Sequence, residues 1–293
     1  MDRRTIFNGR LLPYLLLAPQ LLLTIFFFYW PAGDAAWSSL LAEDAFGQGS
    51  IFVGLDNFHD LLTDPLYLQS VLRTLFFCAA VAILAIGTAL LLAVFADRQI
   101  AGRAVYRTLL IWPYAIAPAM SAAVFVFLLN PRVGILGLWL NNHGINWDYT
   151  LNGTQAMLVI ILASAWKQVS YNFIFLVAGL QSVPRAVIEA ARMDGAKGWH
   201  RFRTITFPLL APTTYFLLVV NIVYAAFDTF GTIYALTQGG PGKDTETLVI
   251  KVFRDGYINH DIGGSSAQSV ILMFGVILVT AIQFRFMSKR TVT

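Results

Sequence analysis

The residues of this 293-residue sequence with most chemical promise are polar side chains set inside long apolar runs. Such positions are costly in a low-dielectric setting and usually carry function. On one run, Ser164, Lys167, Gln168, Tyr171 and Asn172 share a face at 100° per residue. On the next, Asn221, Tyr224, Asp228 and Thr232 do the same, and Gln268 with Ser269 opens the last run. Two such faces brought together make a hydrated cavity able to hydrogen-bond hydroxyl groups, with Asn172 and Asn221 as lining residues. Lys167 sits near the middle of its run, too deep for easy snorkelling, and its ammonium suits an anionic phosphate. An equal alternative is structural: Lys167 and Asp228 pair with each other, or with backbone carbonyls, and stabilise the bundle.

Covalent and metal chemistry have little support. His59, His143, His200 and His260 fall in different connections without ligand spacing. Neither His-Glu-x-x-His nor Gly-x-Ser-x-Gly occurs. Gly242-Lys243 lacks the upstream glycine of a phosphate-binding loop, so no nucleotide site is expected. Cys78 is the single cysteine and lies in an apolar run, where it reads as a small buried residue.

The elements that must position these residues are membrane spans. Hydrophobic residues make up 57% of the chain and charged residues 12%, about half the charged share of a soluble domain. Six apolar segments are long enough to cross a bilayer: Leu11–Trp30, Ser70–Ala96, Ala104–Leu129, Gln155–Ser182, Phe207–Leu236 and Gln268–Met287. The first follows Arg3, Arg4 and Arg10 in the manner of a secretory signal, but it ends in Phe26-Phe27-Phe28-Tyr29-Trp30. That ending reads as an interfacial aromatic belt on a retained helix. Pro113 and Pro118 are expected inside a continuous third helix, tolerated through neighbouring helices. Ala85, Ala89 and Ala93 form a small-residue stripe suited to close packing.

Charge orients the spans. Between Pro31 and Ser70 there is no Lys or Arg, whereas Arg98, Arg103 and Arg107, then Arg185, Arg192, Lys197, Arg201 and Arg203, then Arg285, Lys289 and Arg290 mark alternate connections. Both termini and the Arg185–Arg203 loop are therefore expected in the cytoplasm. The loop from Thr237 to Ala267 mixes Lys243, Lys251 and Arg254 with acids and is neutral on the question.

The loop from Ser182 to Pro212 has helix signals: Ser182 as an N-cap, Pro184 near a first turn, Ala-rich sequence to Met193, and a stop at Asp194-Gly195. Trp199, Phe202 and Ile205, at intervals of three, suggest a second short helix before Pro208 restarts a span. This predicts a helix–turn–helix along the membrane surface, which by itself is no more than an amphipathic anchor. However, Glu189-Ala190-Ala191, Asp194-Gly195-Ala196, Ile205 and the Pro208–Pro212 pair resemble the EAA loop of ABC importer permeases. Trp112-Pro113-Tyr114, Trp166-Lys167, Ala178–Pro184 and Leu236–Pro241 resemble the sugar-importing branch of that family. Within it, Leu12-Pro13-Tyr14, Trp166–Phe173 and Val220–Phe230 are most similar to permeases of sn-glycerol-3-phosphate importers.

The resemblance implies an all-α integral membrane protein of the MetI-like ABC type-1 kind, with six transmembrane helices and both termini inside the cell. Residues 1–69 would hold a tail, the first helix and a periplasmic loop, residues 70–287 the transmembrane domain, with the coupling loop at 184–212, and residues 288–293 a tail. It implies a coupling helix whose contact residues are Glu189, Ala190, Ala191, Asp194, Gly195, Ala196, Ile205 and Pro208. The chain would bind no cofactor of its own; ATP and Mg are used by a pair of ATPase subunits. A second permease subunit, a periplasmic solute-binding protein and membrane lipids complete the expected partners, with no nucleic acid, in the bacterial inner membrane. The transported solute would be sn-glycerol-3-phosphate or a related glycerophosphodiester, with a sugar or polyol as the alternative. An ion-coupled secondary transporter is a distant alternative, because no internal repeat is visible. An intramembrane enzyme is disfavoured by the missing nucleophile and metal motifs.

Overall fold

The computed structural model describes residues 11–43, 49–96 and 103–290. Arg3, Arg4, Arg10 and Arg98, which support the orientation expected from charge, lie outside the described residues, as does the end of the tail at 291–293. The chain divides into two compact units, residues 1–64 with 252–271, and residues 65–251 with 272–293.

In the first unit, α1 (Leu11–Thr24) runs through a π-helical turn, Ile25–Tyr29, into α2 (Trp30–Ser38). Its apolar side chains are exposed throughout, as expected of a lipid-facing span. A small hairpin of β1 (Leu41–Glu43) and β2 (Ser50–Phe52), which the all-helical expectation omits, follows. Asn57, on α3 (Asp56–Thr63), braces it by donating through Nδ2 to the carbonyls of Ser39 (2.9 Å) and Leu41 (2.8 Å).

The second unit is built on α4 (Pro65–Ala96) packed along α8 (Gly153–Ser182). Ala85, Ala89 and Ala93 are fully buried, so the small stripe does bring backbones together. Ile86, Phe173, Leu176 and Val177 fill the remaining space, with Leu217 of α12 (Ala211–Val223, preceded by the short α9, α10 and α11 described below) inserted beside them. The opposite surface of α4 exposes Leu72, Leu75, Phe76 and Ile83.

The expected third helix is not continuous. α5 (Arg103–Ile111) passes into a 3₁₀ turn at Trp112–Ala115, and α6 (Pro118–Leu129) leaves at an angle of 107°. Pro118 explains the break: it lacks an N–H, and its ring forces Ala117 into extended backbone (φ −60°, ψ 146°). Among the described residues, five helices are thus long and apolar enough to span a membrane, or six if the bent pair counts as one. α7 (Ile135–Asn142) links α6 towards α8, whose N-cap Asn152 accepts from the Gln155 amide.

Other boundaries shift from those expected. The second span begins at Pro65, the last helix, α15 (Ile262–Arg290), begins six residues before Gln268, and the fifth span is segmented. After α12, a π-helical turn at Tyr224–Asp228 leads to α13 (Phe230–Leu236), and α14 (Leu248–Phe253) follows before α15. A threonine hydroxyl competes for the i−4 carbonyl beside this turn, Thr229 to Ala225 at 2.9 Å. The same back-bonding occurs at Thr24 to Gln20 and Thr204 to His200, next to or within two other π turns.

Candidate functional site

Between α8 and α12 lies α9 (Arg185–Met193), then α10 (Gly198–Arg201), a π-helical turn at Phe202–Thr206 and α11 (Phe207–Leu209). The helix–turn–helix expected here is present, with a corrected start. Ser182 closes α8, its hydroxyl donating to the Gly179 carbonyl, and Pro184 is the residue that caps α9. Pro184 has extended backbone and lacks an N–H, so it opens a helix without needing a partner.

The end of α9 is a Schellman motif. The Gly195 amide donates to the Arg192 carbonyl at 3.1 Å and the Ala196 amide to the Ala191 carbonyl at 2.9 Å. Gly195 has φ +80°, a left-handed conformation that costs other residues about 1–2 kcal/mol. Ala191 is buried at 5% exposure and Ala196 is half-buried, whereas Glu189, Ala190 and Asp194 are exposed and Met193 is 89% exposed. The result is a rigid, short helix that presents a Glu–Ala face and a blunt end. Ile205 is half-buried in the π turn and Pro208 is exposed in α11. The loop is closed at its base where Gly179 meets α11 and α12; a Cβ there would lie 3.0 Å from Leu210 and 3.1 Å from Thr213.

The polar face of α8 turns inward. Ser164, Gln168 and Asn172 are buried, and Lys167 and Tyr171 are half-buried. Asn172 and Asn221 exchange hydrogen bonds, Asn172 Nδ2 to Asn221 Oδ1 at 3.1 Å and Asn221 Nδ2 to Asn172 Oδ1 at 2.8 Å. Asn221 also donates to the Leu217 carbonyl at 2.7 Å. Both side chains are fully buried, so they face each other rather than lining open space as expected. The Tyr224 hydroxyl reaches the Ser164 carbonyl at 3.5 Å. These contacts tie α8 to the fifth span along its length.

The residues expected to share a face, Asn221, Tyr224, Asp228 and Thr232, differ in burial. Tyr224 and Thr232 are buried but Asp228 is exposed. Asp228 nonetheless lies near enough to both Lys167 and Tyr224 to interact with them electrostatically. Lys167 and Asp228 make no ion pair at contact distance. Gln268 belongs to the other compact unit, where its Nε2 donates to Asp255 Oδ2 at 2.7 Å. Two cavities have linings that do not include this polar row. One of about 310 Å³ is lined by Leu84, Thr88, Leu109, Pro113, Trp166 and Ser170, beside the broken helix. A second, of about 220 Å³, lies against Tyr149, Thr150 and the Leu236–Pro241 loop. Tyr149 there has its phenol pushed above its ordinary pKa, first by burial and then by Asp148.

α9 is thus a short exposed helix with a glycine at its stop, joined through Pro208 to one span and braced by another. Residues 72–293 match the family described as "Binding-protein-dependent transport system inner membrane component". The chain belongs to that family. It is 57% identical over 288 residues to the sn-glycerol-3-phosphate transport system permease protein UgpA of Brucella abortus biovar 1 (strain 9-941), covering 98% of each chain. The UgpA protein of Rhizobium meliloti (strain 1021) is 56% identical over 288 residues, again covering 98% of each. That of Escherichia coli (strain UTI89 / UPEC) is 47% identical over 287 residues, covering 98% of this chain and 97% of the other. A solved bacterial ABC transporter for the acidic polysaccharide alginate shares the fold, with a TM-score of 0.81 at 22% identity over 95% of each chain. The chain is therefore a multi-pass ABC transporter permease, a transport subunit.

Some features had little sequence signal. Asp194-Gly195 gave the turn, but the pairing of Ala191 with Ala196 emerges only from the motif it forms. The break at Trp112–Ala117 was signalled by its two prolines. The π turns had no signal beyond the threonines beside them.

Proposed function

We propose that this chain is one of two permease subunits of an ATP-driven importer that carries sn-glycerol-3-phosphate, or a related glycerophosphodiester, across a bacterial inner membrane. The observation that carries the reading is the 57% identity, over nearly the whole chain, to permeases of that named system. The half-buried Lys167, which makes no direct ion pair although Asp228 lies within electrostatic reach, is in keeping with an anionic solute.

In this reading the six spans count the bent pair as one, and both termini and α9 lie in the cytoplasm. Residues 1–69 carry the first span and a periplasmic loop, residues 70–287 the transmembrane domain, and residues 288–293 the tail. Glu189, Ala190, Ala191, Asp194, Gly195 and Ala196 form the face that seats on an ATPase subunit, while Ile205 and Pro208 transmit its movement to α12. ATP and Mg are handled by two UgpC-like ATPase subunits, and this chain binds neither. A UgpE-like second permease and a UgpB-like periplasmic binding protein complete the assembly. The solute path passes between the two permeases, past Lys167, Gln168, Tyr224 and Asp228, with Asn172 and Asn221 holding the wall behind them. Such closure of the ATPase pair would act as a rigid-body displacement of the spans.

Uptake of labelled sn-glycerol-3-phosphate tests the reading. Cells lacking their own transporter and given the four components should accumulate label, and Glu189→Lys should abolish both uptake and co-purification of the ATPase. Uptake that persists in Glu189→Lys without ATPase co-purification would overturn it.

A further inference from the structure

We propose that the segment Lys197–Phe207 is an interfacial anchor that binds the head groups of anionic phospholipids at the membrane end of α12. This assignment depends on no particular solute, only on α12 being a span.

Three aromatic rings run along this segment in contact. Trp199 stacks on Phe202 with centroids 5.4 Å apart and planes at 26°, and Phe202 meets Phe207 at 6.0 Å and 49°. In an α-helix, residues five apart point about 140° away from each other. Here the Phe207 amide donates to the Phe202 carbonyl, closing a π turn that brings the two rings onto one side. The π turn thus builds an aromatic ladder that an α-helix would scatter. The ladder does not disappear into the core, because Trp199 remains 71% exposed and Phe207 is exposed as well.

Its position fixes the medium. Phe207 is four residues before Ala211, where the span Ala211–Asp228 begins, which is about 6 Å along a helix. Indole rings favour the head-group layer at that depth, with an apolar body towards the chains and an N–H towards water.

Charge selects among lipids. Lys197, His200 and Arg203 are exposed and Arg201 is half-buried. No Asp or Glu occurs between Asp194 and Asp228. Lys197 and Arg203 take part in no ion pair within the described structure. Arg203 follows Trp199 by four residues, a spacing that sets an exposed cation on the same side as the ring. Exposed cations against an aromatic ladder complement an anionic leaflet, where each is worth about 1 kcal/mol, or about fivefold in local lipid enrichment.

The test uses the assembled transporter in nanodiscs containing phosphatidylcholine and phosphatidylglycerol, with one or the other lipid brominated near the head group. The emission lost in Trp199→Phe reports Trp199. That component should be quenched by both brominated lipids, with phosphatidylglycerol enriched several-fold over phosphatidylcholine. Arg203→Gln should lower the enrichment about fivefold while quenching by brominated phosphatidylcholine persists, which shows the segment still folded in place. A Trp199 component untouched by either lipid, quenched equally by both, or shielded only when the ATPase subunits are present would overturn the proposal. The last result would mean that the ladder is a protein contact.

Discussion

The amide of Ala196 donates to the carbonyl of Ala191 across 2.9 Å, so Glu189-Ala190-Ala191 and Asp194-Gly195-Ala196 are joined in one helix stop. Ala191 is the third residue from the end of α9 and Ala196 the second beyond its cap, with Gly195 at φ +80° between them. Small side chains at both ends of that bond let the chain turn back tightly.

Gly195→Ala should therefore loosen the end of α9 by about 1–2 kcal/mol, which shifts the local folded-to-frayed ratio by about five- to thirtyfold. Gly195→Asn should recover part of the loss, because asparagine tolerates the left-handed region. Co-purification of the ATPase and solute-stimulated ATP hydrolysis measure it. Equal behaviour of the alanine and asparagine variants would show that conformation at this position is not what matters.

The Asn172–Asn221 pair gives a second prediction. Asn172→Leu strands the amide of Asn221 in a fully buried position and should cost about 1–3 kcal/mol. Replacing both by leucine removes the stranded groups together and should cost less than the sum of the single changes. Thermal unfolding of the four proteins in detergent completes the cycle, and additive losses would mean that the two amides do not act as a unit.

Spans and loop were legible because their signals are local and one-dimensional. Twenty apolar residues mark a helix wherever they sit, and Asp194-Gly195 carries its own turn. The interior of the site was not legible for the same reason. Asn172 and Asn221 lie 49 positions apart, and no periodicity says whether two inward amides face a cavity or each other. Asp228 shares the neighbourhood of Tyr224 but is exposed where Tyr224 is buried, a difference that periodicity alone does not carry. Pro113 and Pro118 were visible, but whether prolines kink a helix or break it through 107° depends on what surrounds them.

Ala89 tests the α4–α8 seam. It is fully buried where two spans approach, so Ala89→Leu should destabilise by about 1–3 kcal/mol through overpacking. Ile83→Leu on the same helix is 73% exposed and should be neutral. A neutral Ala89→Leu in the same thermal assay would show that the seam has slack.

Lys167 separates a structural cation from one that meets the solute. It is half-buried on α8, one residue from the buried Gln168, with Asp228 in electrostatic reach but not at ion-pair distance. If it holds the bundle, Lys167→Met lowers thermal stability and leaves solute preference alone. If it receives a phosphate, Lys167→Met leaves stability nearly unchanged. Loss of a charge-assisted hydrogen bond of about 1.5–3 kcal/mol then weakens transport of the anionic solute by about ten- to hundredfold. Lys167→Arg keeps the charge and should retain most uptake, whereas the methionine variant should not. The expected outcome is the second, read as labelled sn-glycerol-3-phosphate uptake against melting temperature. Unchanged uptake in Lys167→Met would remove this residue from the path, while the coupling role of α9 would stand on its own test.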